Sequence, residues 1–236
     1  MQVDGHLKHT GFLDLLTDVL FHLRVSTEKS GLSENKHARA AIISCALSLE
    51  SSANCLLSSL ELPIKTSKEL EKLPPLTKMD TALRLRTQGE VELDRGDNRV
   101  AKMKDLITLR NDFVHQKQRV IPADCTMTQN PEEIRVSFDS KSCVYQNLRV
   151  SKIGSEWSSG DAEEVAKAAF DFFDLIFRKL LLLDETDAQI LLGDSKNMGP
   201  GEGGMKLSII GLDADCHSLL DWARERKLAV EFLRSA

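Results

Sequence analysis

The sequence predicts an all-α fold: an up-and-down helical bundle with a small β-hairpin excursion and a C-terminal appendage. Three observations lead there. Apolar residues recur at helical spacing over 10–28, 36–60, 76–88, 98–117 and 161–183. Glycine and proline fall at the edges of these segments, at Gly31, Pro63, Pro74-Pro75 and Gly160. Only the region 134–150 alternates with the two-residue period of a strand.

In the first segment Phe12, Leu15, Leu16, Val19, Leu20 and Leu23 make one apolar face, and Gly31 ends it. The strongest helix is 36–60. Its Ile42, Ala46, Leu49, Ala53, Leu56 and Leu60 step by four and three, as in a bundle seam. Small residues on its other faces let a neighbour come close, and Pro63 stops it. A Lys/Glu-rich connector leads to Pro74-Pro75, which opens a helix through Leu76, Met79 and Leu83. Residues 89–97 read as a charged loop. The helix over 98–117 carries the stripe Val100, Met103, Ile107, Arg110, Val114. Residues 118–131 read as irregular, and 134–138 with 144–150 as the two strands of the hairpin.

Ser159-Gly160-Asp161 caps the helix 161–183, with Glu163 and Glu164 suited to its first turn. Phe170, Phe172, Phe173 and Phe177 spread around more than one of its faces. Such a helix is buried on two sides, by a central place in the bundle or by a partner subunit. A short helix near 185–192 follows. The organisation is thus a helical domain over 1–192, a glycine-rich flexible linker over 193–204, and a tail over 205–236. The tail holds a strand-like run and an amphipathic helix ending in Phe232-Leu233, which docks on the body or on a partner.

A chain of 236 residues with 42% hydrophobic residues can bury a sizeable core. Its net charge of −5 argues against a general nucleic-acid coat protein, so any nucleic-acid contact must be local. The five cysteines show no CxxC pair, and read as reduced thiols of a cytosolic protein. The opening residues lack a basic region followed by an apolar run, so no signal peptide is expected. The apolar stretch 175–183 contains Arg178 and Lys179 and is too short to span a bilayer. No membrane contact is expected, and the location expected is cytoplasmic. The other histidines (His6, His9, His22, His37, His217) show no metal-ligand pattern, and no phosphate-binding glycine loop or nucleophile elbow is present. Neither a metal nor a cofactor is expected.

The chemistry concentrates in Arg110-Asn111-Asp112-Phe113-Val114-His115. Arg110 stands where the helical period asks for an apolar residue. An inward arginine is costly unless paired or set in a cleft, and its planar fork suits phosphate or carboxylate. Asn111 and His115, four apart, share a helix face. Together they offer a cation, an amide and an imidazole to one phosphodiester. Metal-free RNA cleavage needs a base for the 2′-hydroxyl, a cation for the pentacoordinate phosphate and an acid for the leaving 5′-oxygen. One His and one Arg is a thin set, which two copies about a two-fold axis would double.

Glu50 and Asn54 continue the line of Ile43 and Leu47 on the shoulder of the long helix, where apolar residues would fit. Either they orient Arg110 or His115, or Glu50 neutralises Arg110 in a buried bridge. Arg99, Lys102, Lys104, Lys117 and Arg119 flank the motif and read either as a track for an RNA backbone or as a solvated helix face.

The motif resembles the signature of the HEPN superfamily, an Arg, a polar residue, three more positions and a His. The resemblance covers roughly residues 10–190, in helix order and in the motif's place near the end of the penultimate long helix. It implies a helical bundle acting as a homodimer, with Arg and His of both chains lining a cleft. Many such proteins are metal-independent endoribonucleases, and others are non-catalytic RNA- or nucleotide-binding modules. Catalytic roles for Arg110, Asn111 and His115 follow from it. So does a toxin or defence role, in which a regulatory protein partner controls the subunit. The toxin subfamily paired with nucleotidyltransferase antitoxins carries a Tyr two residues after the His. Here that position is Lys117, and the only tyrosine is Tyr145, so control through that Tyr is not expected. Three readings stay open: a ribonuclease, a non-enzymatic binding module of the same fold, and a helical interaction protein in which Arg110 only bridges to Glu50.

Overall fold

The computed structural model describes residues 5–115, 124–130, 133–139, 143–198, 205–209 and 214–230. Its centre is a long helix, α2 (Gly31–Ser58), joined to α1 (Phe12–Glu28) by two residues and packed back along it. The expected seam Ile42, Ala46, Leu49, Ala53 and Leu56 is buried, and Ala38, Ala41 and Cys45 extend it. Burial on several faces follows from the small residues. Ser44, Ser48 and Ser52 lie inside, and the hydroxyls of Ser48 and Ser52 donate to carbonyls three residues back on their own helix. Among the described residues, α2 is the one helix long and apolar enough to cross a membrane, rather than the stretch 175–183. However, 67% of that window is buried inside the protein.

After α2 comes α3 (Ile64–Leu70), a short helix with no buried residue. It lies in the stretch expected to be a connector, because its charges give no apolar face to read. Then α4 (Pro75–Arg86) packs on α2, and α5 (Asn98–Val114) packs on α6 (Ser159–Asp174) and α2. The cap of α6 is Ser158, one residue earlier than expected. Its hydroxyl accepts from Asp161 N–H, and the Asp161 carboxylate accepts from Ser158 N–H. The helix continues as a π-helical turn, Leu175–Leu180. Phe170, Phe172, Phe173 and Phe177 are fully buried, and Phe173 meets Phe12 edge-on with centroids 5.4 Å apart. The central place in the bundle therefore accounts for them without a partner subunit.

The hairpin excursion is there, with different partners. Strand β2 (Asp124–Asn130) pairs antiparallel with β3 (Glu133–Asp139), Met127 opposite Val136. Asn130 pairs with Glu133, so the chain reverses before the run 134–138 instead of after it. Residues 144–150 do not complete that hairpin. Val144-Tyr145 (β4) pairs with Val150-Ser151 (β5) around a turn in which Arg149 takes φ 59°.

The linker expectation over 193–204 is corrected in its first part. Asp194–Met198 is a strand, β6, between β1 (Gly5–Lys8) and β7 (Met205–Ile209). Residues 199–204 lie outside the described residues. The Asp194 carboxylate fixes the sheet to the bundle, accepting from Thr10 N–H at 2.7 Å and meeting His9 Nδ1 at 2.8 Å. Between strand and bundle lies α7 (Glu185–Leu192). The tail docks on the body: α8 (Ala214–Glu225) lies on α1 and buries Leu219, Leu220 and Ala223. Arg226 ties it to Glu163 of α6 at 3.3 Å. Phe232 and Leu233 are outside the described residues.

Candidate functional site

Helix α5 starts at a strong cap. Asp97 accepts from Arg99 N–H at 2.7 Å, and the Arg99 guanidinium closes on the same carboxylate at 2.6 Å. That guanidinium holds the Asp97 carboxyl below its usual range. The buried line of α5 is Val100, Met103, Leu106 and Leu109, rotated from the expected one. Ile107 is only partly buried, and Val114 is 58% exposed. Arg110 therefore stands at the rim of the core, not in its middle.

At that rim Arg110 meets α2. Its Nη2 donates to Glu50 Oε2, and the Arg110 side chain is 22% exposed. The other oxygen of Glu50 lies 4.0 Å from Lys78 Nζ, on α4. Lys78 is the deeper cation, only 4% exposed, and it donates to Asn54 Oδ1 at 2.8 Å. Three helices thus bring Arg110, Glu50, Lys78 and Asn54 together. Glu50 reaches Arg110 as the sequence allowed. Asn54 instead serves Lys78, a residue the sequence reading missed. The signal was present, since Lys78 falls between Pro75, Met79 and Ala82 on the buried side of α4.

Beyond Arg110 the motif opens to solvent. The helix ends at Val114, before the expected 117, and His115 is its C-cap, with its N–H donating to Asn111 O at 2.9 Å. Asn111 and His115 are both exposed. The intervening residues anchor the helix end. Asp112 accepts from the Tyr145 hydroxyl at 2.9 Å, and Phe113 stacks on Trp157 with centroids 5.6 Å apart. The Trp157 loop is pinned by Asn35 of α2, whose amide donates to the Gly154 and Trp157 carbonyls at 3.0 and 2.8 Å.

Among the described residues, Arg99, Lys102 and Lys104 do not form one track. Arg99 is engaged by Asp97 near the far end of α5, about 24 Å along the axis from His115. Lys102 lines a polar cleft of about 540 Å³ with Arg149, Asp161 and Glu164, and Lys104 points about 200° away from Lys102 around the helix. Lys117 and Arg119 lie outside the described residues. Among the described residues no group of three or more His, Cys, Asp and Glu is placed to hold a metal ion.

The arrangement provides a half-buried guanidinium held by a carboxylate, with an exposed amide and imidazole on the next turn. Chemically it can bind an oxyanion and exchange a proton beside it. Comparison of the chain with protein-family models, curated proteins and solved structures finds no match.

Proposed function

We propose that this chain is a HEPN-type, metal-independent endoribonuclease working as a homodimer. The observation that carries the reading is the placement of the motif: Glu50 holds Arg110 at the rim of the bundle, while Asn111 and His115 face solvent at the end of the same helix. His115 takes the proton of a ribose 2′-hydroxyl, and the oxygen attacks the adjacent phosphorus. Arg110 stabilises the charge gathering on the phosphoryl oxygens. The bond from phosphorus to the 5′-oxygen breaks, and the same histidine of the second copy protonates the leaving oxygen. The products are a 2′,3′-cyclic phosphate and a free 5′-hydroxyl. Asn111 orients the phosphate, and Glu50 sets the Arg110 fork.

The test is cleavage of mixed RNAs by the purified chain in excess EDTA, beside His115→Ala. Cleavage that leaves 2′,3′-cyclic ends and disappears in the variant supports the reading. A folded dimer that cuts nothing favours the second reading, a non-catalytic RNA- or nucleotide-binding module of the same fold. One observation favours that alternative: the Arg110 guanidinium already has a carboxylate partner within its own chain.

A further inference from the structure

Two arginines where α2 and α5 meet, Arg39 and Arg110, share an unusual state. Arg39 Nε and Arg110 Nε are both buried, and neither has a hydrogen-bond acceptor among the described residues. Buried donors of a cation are normally satisfied, so both guanidinium groups hold donor capacity that the described residues leave unused. Arg110 at least has Glu50. Arg39 has no ion pair among the described residues, although it stands on the same line of α2 as Ile43, Leu47, Glu50 and Asn54. Its stem lies beside the motif helix. A β-carbon built on Gly154 would sit 3.7 Å from Arg39 Cδ and 3.5 Å from the Phe113 ring, two residues before His115. The Asn35 amide, one turn earlier on α2, fixes the Gly154 loop against this place.

We propose that single-stranded RNA lies along the face where α2 and α5 meet, with Arg110 at the phosphate beside His115 and Arg39 on a second phosphate of the same strand. The proposal rests on reading the motif as facing RNA. Arg39 and Glu50 are three turns apart on α2, about 16 Å along the axis, so the two guanidinium groups address different phosphates. Positive charge is in excess at one end of this face, where Arg110 and Lys78 share the Glu50 carboxylate. Between the arginines, Leu47 is exposed and Ile43 partly so, giving the sugar and base faces an apolar surface. Arg39 was passed over in the sequence because it lies far from the motif in the chain.

The experiment is binding of a short single-stranded RNA to the full chain carrying His115→Ala, in EDTA over a salt series, with and without Arg39→Gln. Arg39→Gln is expected to weaken binding several-fold and to lower the slope of log K against log salt by about 0.7. Arg39→Lys is expected to restore the slope. Equal affinity and equal slope overturn the proposal, as does failure of the His115→Ala chain to bind RNA. A readout that needs no change at Arg39 is its Nε–Hε resonance, which is expected to shift as RNA is added; a resonance that stays in place also overturns it. The ribonuclease reading fails separately. A chain with native His115 that binds RNA without cutting it refutes cleavage, while the slope still reports on Arg39.

Discussion

Arg110 on α5 and Glu50 on α2, 60 residues apart in the chain, form an ion pair that ties the end of the motif helix to the centre of the bundle. The pair does not close on itself. Lys78 approaches the same carboxylate from α4 at 4.0 Å, so two cations share one anion. A purely structural bridge would be complete with Arg110 alone. The surplus positive charge and the exposed His115, with an Arg110 Nε that has no acceptor among the described residues, together suit an incoming phosphate.

Lys78 and Asn54 are expected to respond asymmetrically to substitution. Lys78→Met keeps the stem's packing and removes a buried charge, so its stability should lie within about 1 kcal/mol of wild type. Asn54→Ala leaves the ammonium without its 2.8 Å acceptor and should cost roughly 1–2 kcal/mol. Urea unfolding of the two variants checks the order; the reverse order would refute the role given to Asn54.

His22 and His37 join α1 to α2 through ring nitrogens 3.1 Å apart, a contact that needs at least one neutral ring. Burial, and then the neighbouring His37, push His22 below its ordinary value of 6.5, against the pull of Asp18. The unfolded chain therefore binds the proton more tightly, and stability falls as pH drops below that value. The loss is complete once pH passes the folded-state value. His9, raised by its hydrogen bond to Asp194, has the opposite sign: its contribution is full at low pH and disappears as pH rises. The difference between wild type and His22→Gln isolates the pair. It should shrink as pH falls through 6.5 and below, the range in which the unfolded chain takes up the proton first. A pH-independent difference would remove the pair from the account.

Gly193 sits where α7 hands over to β6. Its φ is ordinary at −88°, but a β-carbon there would stand 2.6 Å from the Gln189 carbonyl oxygen. Gly193→Ala must shift the backbone that feeds the three-stranded sheet, and should cost about 1–3 kcal/mol. Thermal unfolding reads it; an unchanged Tm would show that the junction gives way freely.

Except for α3, the helices were legible because each depends on its own apolar period. The ends of α1, α2 and α5 differ from the reading by a few residues, because an apolar stripe fixes a helix's face better than its ends. What was hidden depends on distant partners. Gly5–Lys8 and Asp194–Met198 make sense as strands only once paired with each other. The partner of β3 is the polar run Asp-Cys-Thr-Met-Thr-Gln-Asn, which has little strand signal of its own. At the site, the motif and Glu50 stand out because they break an apolar pattern. Lys78 breaks one too, on a weaker helix. Arg39 looks like an ordinary surface arginine until Phe113 and Gly154 are brought beside it.

The most direct measurement is the RNA-cleavage rate and the unfolding free energy of Arg110→Ala, on one preparation and against wild type. The substitution leaves Glu50 with Lys78 nearby, and the Glu50 side chain is 37% exposed, so a stability loss of roughly 1 kcal/mol is expected. Cleavage should fall about a hundredfold or more, as for removal of a group that stabilises the transition state. A loss of about 3–5 kcal/mol, as when a buried bridge is broken, with cleavage unaltered or absent in both proteins, would contradict the phosphate-binding role and leave Arg110 as a strut.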